Sequence, residues 1–135
     1  MKVLIDTNVI LDVLCDRAEF VKDSAKVWKY CEIHKITGCI SALSVPNIVY
    51  ILRKELTPEK TGELISQLLM IFETVDLSET DLKNAAQMNM SDYEDAIQMA
   101  VANRIKADFI VTRNIRDFIN SKVPAVKPSE LLERM

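Results

Sequence analysis

Apolar and polar positions follow two rhythms along this chain. Lys2–Ile5 is a short apolar and β-branched run that stops at Asp6, after which Val9, Ile10, Val13 and Leu14 recur at helical spacing. A second helical stretch covers roughly 21–34, with Val21, Ala25, Trp28 and Ile33 among its apolar positions. Gly38–Ser41 reads as a second buried strand, and a helix follows almost at once with Val45, Ile48, Val49 and Leu52 on its apolar side. Thr57-Pro58 is a helix start with proline at the first position, where its missing N–H costs nothing, and this helix runs to about Met70. Phe72–Leu77 is the third strand. Ser78-x-x-Asp81 opens a helix ending near Asn89, and Ser91 opens another that continues to about Ile105. Phe109–Thr112 is a fourth strand, Asn114–Phe118 a helical turn, Val123–Val126 a fifth strand at the sheet edge, and Pro128–Arg134 a terminal turn of helix.

Strands separated by helices predict a parallel sheet covered on both faces, a three-layer α/β/α arrangement. The 135 residues show no linker, repeat or low-complexity run, so one domain over 1–135 is expected. With 49% hydrophobic and 27% charged residues, both a core and a soluble surface are available. The longest uncharged stretch, Ile36–Leu52, falls short of the ~20 residues a membrane span needs and contains Gly38, Ser41, Ser44, Pro46 and Asn47, so no membrane segment is expected. There is no basic start followed by an apolar stretch and a cleavage site. Three cysteines, Cys15, Cys31 and Cys39, cannot all pair internally and sit among apolar neighbours. Both features fit a reducing cytoplasm.

Scarce residues narrow the chemistry. Two glycines, Gly38 and Gly62, are too few for a dinucleotide fingerprint or a phosphate loop. His34 is the only histidine, which leaves no room for a histidine-rich zinc site. Cys31-x-x-His34 followed by Cys39 has an outline of zinc spacing, but a fourth ligand would have to come from distant Cys15.

In parallel sheets, ligands bind beyond the carboxyl ends of the strands, where strand order reverses. Here the first strand ends in Asp6-Thr7-Asn8 and the second in Ser41, with Asn47 two helical turns further on. The fourth ends in Thr112-Arg113-Asn114, with Asp117 close behind. The helix before the fourth strand opens Ser91-Asp92-Tyr93-Glu94-Asp95, and Asp92 and Asp95, three apart, share a face. Local structure explains part of this: Ser91-x-x-Glu94 makes a capping box, Asn114 with Asp117 a second cap, and Asp6 a cap for the helix after the first strand. If the first and fourth strands are neighbours, however, Asp6, Asp92, Asp95 and Asp117 meet at one cleft. Clustered carboxylates repel, and a divalent cation relieves the repulsion. Hard oxygen ligands suit magnesium or manganese, the usual ions of phosphoryl chemistry. Arg113 and Arg116 flank the cleft as candidate phosphate contacts.

Four blocks, Val3-Leu4-Ile5-Asp6-Thr7-Asn8-Val9, Ile40-Ser41-Ala42-Leu43-Ser44, Asp92-Tyr93-Glu94-Asp95-Ala96-Ile97-Gln98 and Ile110-Val111-Thr112-Arg113-Asn114 with Asp117-Phe118, resemble in order and spacing those of PIN-domain nucleases, including VapC-type toxins of bacterial toxin–antitoxin pairs. The resemblance implies a five-stranded parallel sheet in order 3-2-1-4-5 and a magnesium- or manganese-dependent ribonuclease. Asp6 and Asp95 match the metal-binding acids most directly, with Asp92 and Asp117 in support. Asn8, Asn47, Thr112, Arg113 and Asn114 would orient substrate or water. An RNA substrate and a cognate antitoxin are the expected partners, and the apolar faces of the helices spanning 45–70 suggest a hidden surface for a homodimer or for such a protein partner. Most members have a glutamate where this chain has Asn47, and many an aspartate where it has Asn114. An RNA- or protein-binding module with weakened catalysis is therefore the alternative. A receiver-like phosphoacceptor domain is a third reading, for which Asp76 and Lys122 are poor fits.

The net charge of −3 at first speaks against nucleic acid. Without the four cleft aspartates, 17 basic residues face 16 acidic ones, and bound cations would reverse the sign of the cleft itself.

Overall fold

Val3, Leu4 and Ile5 have almost no exposed surface, which puts the first strand at the centre of the molecule. The computed structural model describes residues 1–135. In chain order its elements are β1 (Lys2–Ile5), α1 (Thr7–Leu14), α2 (Val21–Glu32), β2 (Thr37–Ser41), α3 (Ser44–Ile51), α4 (Pro58–Ile71), β3 (Glu73–Val75), α5 (Glu79–Gln87), α6 (Tyr93–Arg104), β4 (Phe109–Val111), a 3-10 turn (Ile115–Phe118), β5 (Ala125–Val126) and α7 (Pro128–Glu133). The five strands form one sheet in order β3-β2-β1-β4-β5. All four pairings are parallel; Leu4 faces Cys39 on one side and Ile110 on the other. A receiver-type sheet would run 2-1-3-4-5, so the observed order sets that reading aside.

Side chains alternate across β1. Val3 and Ile5 join a core with Val9, Ile10, Val27, Ile40, Ile48, Leu68 and Leu131, which packs α1–α4 and α7 on one face. Leu4 joins the other, with Cys39, Ala85, Ala96, Val101 and Ile110, which packs α5 and α6. Burial on both faces explains why the strands read as continuous apolar runs. No helix is long and apolar enough to cross a membrane.

Several boundaries move for physical reasons. Phe72 closes α4 instead of opening β3, and the residues after Val75 lead into Ser78, whose hydroxyl accepts from Asp81 N while the Asp81 carboxylate accepts from Ser78 N. The fifth strand is shorter than 123–126 because Pro124 has no N–H; Pro124 meets the sheet only by accepting from Ile110 N at 2.9 Å. The cap of α6 is Asp92, whose Oδ1 accepts from Asp95 N at 3.2 Å, and not a Ser91–Glu94 box. Asn114 makes no side-chain cap; its own N–H donates to Thr112 Oγ1 at 3.1 Å. Cys15 is exposed, unlike the buried Cys31 and Cys39, because it falls after the last turn of α1.

The two glycines make opposite demands. A Cβ on Gly38 would collide with Cys31 Sγ and press on the ring of Phe72, which itself packs edge-on against Trp28 with centroids 5.1 Å apart. A Cβ on Gly62, exposed in the middle of α4, meets nothing within 4 Å. Gly38→Ala is expected to destabilise by about 1–3 kcal/mol through overpacking. Gly62→Ala is expected to stabilise by about 0.5–1 kcal/mol, because alanine is the better helix former. Urea denaturation of both variants checks the pair of signs.

Candidate active site

β1 has β2 on one side and β4 on the other, so the crevice at the carboxyl ends of β1 and β4 lies where the chain reverses its strand order. Asp6 stands at that point, 7% exposed. Its backbone N–H donates to Val111 O at 2.9 Å, which continues the β1–β4 pairing one residue past the strand. Asp6 occupies the cap position of α1, yet its side chain makes no capping bond. Instead Oδ2 accepts from Thr112 Oγ1 at 2.8 Å. The hydroxyl from the end of β4 thus holds the carboxylate across the crevice. The capping reading of Asp6 is replaced by an inter-strand one, and Thr112, itself fully buried, positions the acid.

Burial pushes the Asp6 carboxyl up from its ordinary value. The Thr112 hydroxyl and the Thr7 backbone pull it back, nearby Asp117 pushes it up again, and Arg113 lowers it least. Asp95, half-buried in the first turn of α6, is pushed up to about 7, first by burial and then by the charges of Asp92, Asp6 and Asp117. The other three predicted acids therefore all lie within electrostatic reach of Asp95. Asp92 and Asp117 are exposed on the rim, while Asp6 and Asp95 lie deeper.

Asp92 and Asp95 form a ridge between two hollows. One, of about 310 Å³, is lined by Asp6, Thr7, Asn8, Ser44, Asn47, Tyr50, Ile51, Glu94 and Gln98 besides the ridge. The other, also about 310 Å³, runs past Ser91, Met99, Arg116, Asp117 and Asn120. Asn8 and Asn47 are thus brought to the acids as expected. Asn114 is not: it lies exposed in a third hollow with Arg113, Arg116, Asp117 and Lys127. Asp117, three residues on, is the member of this turn that faces the cluster.

Arg113 is only partly available to a substrate. Its Nε lies 3.0 Å from Oδ2 of the fully buried Asp12, which Arg17 also pairs at 3.2 Å, and its guanidinium stacks on Phe20 at 4.0 Å. The Arg113–Asp12 approach is an ion pair without hydrogen-bond alignment, since both atoms lack a hydrogen-bond partner. Arg116 is the exposed cation of the two. Sequence reasoning missed Ser44, Gln98 and Tyr50. Thr7 Oγ1 donates to Ser44 Oγ at 2.9 Å and Gln98 Nε2 to the same oxygen at 3.3 Å, which ties α1, α3 and α6 together under the first hollow. The signal for Gln98 was a lone polar residue inside the apolar segment 96–102, three residues after Asp95.

The donor set fits a hard divalent cation. Every polar side chain around the first hollow offers oxygen, none is histidine or cysteine, and Asp6 and Asp95 have no arginine or lysine paired with them. Carboxylates alone are insufficient: no three acidic, histidine or cysteine side chains are placed to hold an ion by themselves.

A parallel α/β fold with unneutralised acids gathered at its switch point defines the class. The chain belongs to the PIN domain family, whose model matches residues 2–116. Among curated proteins it is similar to Ribonuclease VapC1 of Aquifex aeolicus (strain VF5), 23% identical over 98% of this chain and 94% of that protein. Its fold is shared by VapBC2 from Rickettsia felis bound to a promoter DNA fragment, with a TM-score of 0.73 and 15% identity over 94% of this chain and 98% of that one. FitAcB from Neisseria gonorrhoeae is similar too, with a TM-score of 0.71 and 20% identity over 94% of this chain and 98% of that one. DNA-bound VapBC from Salmonella typhimurium scores 0.72 at 17% identity, over 95% and 98%.

The raised carboxyls have a consequence for stability. The unfolded chain releases the Asp95 proton near the ordinary value of 3.8, whereas the folded, cation-free protein holds it to about 7. The stabilising contribution of protonated Asp95 is complete below the lower value and is lost as pH rises through the higher one. Asp6 shifts in the same direction. In EDTA, wild type is expected to lose stability, relative to Asp95→Asn, between pH 5 and pH 8. Urea midpoints of both proteins at the two pH values check this, and a pH-independent difference would overturn it.

Proposed function

We propose that this chain is a divalent-metal-dependent endoribonuclease acting as a single PIN domain in the cytoplasm, and that it is the toxin of a toxin–antitoxin pair. The observation that carries the catalytic reading is the convergence of Asp6, Asp92, Asp95 and Asp117, none neutralised by a basic side chain, at the carboxyl ends of β1 and β4. Asp6 and Asp95 would hold magnesium or manganese, with Asp92 in support. When bound, such a cation activates water and stabilises charge on the scissile phosphate. The chain's own residues do the rest. Thr112 fixes the Asp6 carboxylate through its hydroxyl, and Asp95, whose carboxyl burial and its acidic neighbours push up to about 7, would be deprotonated to hold a cation. Asp117, which lines the second hollow, would take or orient a water there. Asn8 and Asn47 offer amide contacts to RNA, and Arg116, with the less available Arg113 and the neighbouring Asn114, receives its phosphates.

The toxin reading rests on the likeness to a VapC ribonuclease and on the fold shared with members of toxin–antitoxin complexes. A protein partner, whether an antitoxin or a second copy in a homodimer, has exposed apolar surface to meet in Tyr50 and Ile51 of α3 and Leu69 and Met70 of α4.

Purified protein incubated with RNA and manganese is expected to cleave it, and Asp6→Asn or Asp95→Asn to lower the rate by roughly 100-fold or more. Cleavage at equal rates by all three proteins would overturn the assignment. One observation favours a second reading, a binding module with weak catalysis: the hollow presents the neutral Asn47 where the resemblance expects glutamate. A silent wild type that becomes active as Asn47→Glu would support the module.

A further inference from the structure

Gln98 is out of character with its helix. Its neighbours over 96–102 are apolar and buried, and Gln98 itself is 5% exposed. Its amide is half satisfied. Nε2 donates to Ser44 Oγ at 3.3 Å, but Oε1, out of contact with bulk solvent, has no partner. Leaving a buried acceptor unpaired is costly, so packing alone does not account for an amide where leucine or methionine would fill the same space. The residue lies one turn beyond Asp95 on the same helix face and lines the same hollow as Asp6 and Asp95. Carboxylates alone do not complete a site there, and α3 contributes Asn47, which brings no charge. A hard divalent cation takes six or more oxygen ligands, so uncharged oxygens must make up the set.

We propose that Gln98 Oε1 is an uncharged oxygen donor of the divalent-cation site shared with Asp6 and Asp95, held in place by the bond from its own Nε2 to Ser44. The proposal rests on the metal-dependent reading above. It explains why the amide is anchored on its nitrogen side while its buried oxygen has no partner within the protein. It also explains why the anchor, Ser44, is itself fixed by the Thr7 hydroxyl at 2.9 Å.

The test uses the full chain and manganese alone as probe. The Kd is measured by calorimetry and by the electron paramagnetic resonance signal of free Mn²⁺, and Tm is taken in EDTA and in saturating Mn²⁺. Gln98→Met is expected to weaken Mn²⁺ binding roughly tenfold, while Tm in EDTA stays level or rises and the rise on adding Mn²⁺ shrinks. Gln98→Glu, which places a charged oxygen at the same reach, is expected to bind Mn²⁺ more tightly than wild type. If Gln98 only braces Ser44, Gln98→Met lowers Tm in EDTA and leaves the Mn²⁺ Kd unchanged, which overturns the proposal. Should Gln98→Met fail to fold, unchanged affinity in Gln98→Glu overturns it equally. Wild type that takes up no Mn²⁺ at all overturns the metal-dependent reading along with this one.

Discussion

Like charge held together against its own repulsion is the constraint around which this molecule is organised. The contrast lies in its buried aspartates. Asp12 is buried between Arg17 and Arg113. Burial works against the charge on Asp81, yet three hydrogen bonds from Arg104 and the capping bonds with Ser78 hold its carboxyl below the ordinary value. Asp6 and Asp95 have no such partner; burial drives both upward, aided by the charge of Asp117 at Asp6 and by those of Asp92, Asp6 and Asp117 at Asp95. The structural acids are thus neutralised by arginine, whereas Asp6, held by the Thr112 hydroxyl, and Asp95 are not.

The fold bears that cost through placement. With β1 central, Asp6 lies at the one edge where the ends of β1 and β4 and the start of α6 meet, and Thr112 supplies the hydroxyl that keeps its carboxylate oriented. The amino end of α6 brings Asp92, Glu94 and Asp95 together, and the positive end of the helix dipole offsets part of their charge. The bond that Asp92 accepts from Asp95 N thus fixes the two acids side by side at the start of the helix. Asp92 caps α6 and also lines both hollows, whereas Asp6 makes no cap and takes its hydrogen bond from Thr112 instead.

Architecture was legible because each level of pattern agreed: apolar runs on a doubly covered sheet, caps at Thr57 and Ser78, and helices between strands. Strand order was not a matter of periodicity; it came with the resemblance, since parallel strands of similar composition carry no mark of their neighbours. The acids were legible because they end strands or begin a helix. What stayed hidden depended on side-chain direction. Arg113 and Arg116 look alike in the chain, yet one turns to Asp12 and Phe20 and the other to solvent. Asn114 and Asp117 share one short turn, and only geometry shows that the second faces Asp95. Gln98 was hidden because a helix buried on nearly all sides has no polar face on which to expect it.

The charge of −3 is therefore a poor guide to what this surface meets. Its acids are divided by role: some are spent on arginines, some lie scattered on solvated helices, and four are concentrated where a cation would reverse their sign. Basic residues near the cleft are few, and one of the arginines is already engaged, so on the proposed reading attraction for a polyanion would come from a cation-loaded cleft and not from a broad field. The same hollow carries exposed Tyr50 and Ile51 on its wall. A protein seated on them would stand over that hollow and over Asp6, while the second hollow, past Arg116 and Asp117, reaches Asp95 from the other side of the ridge.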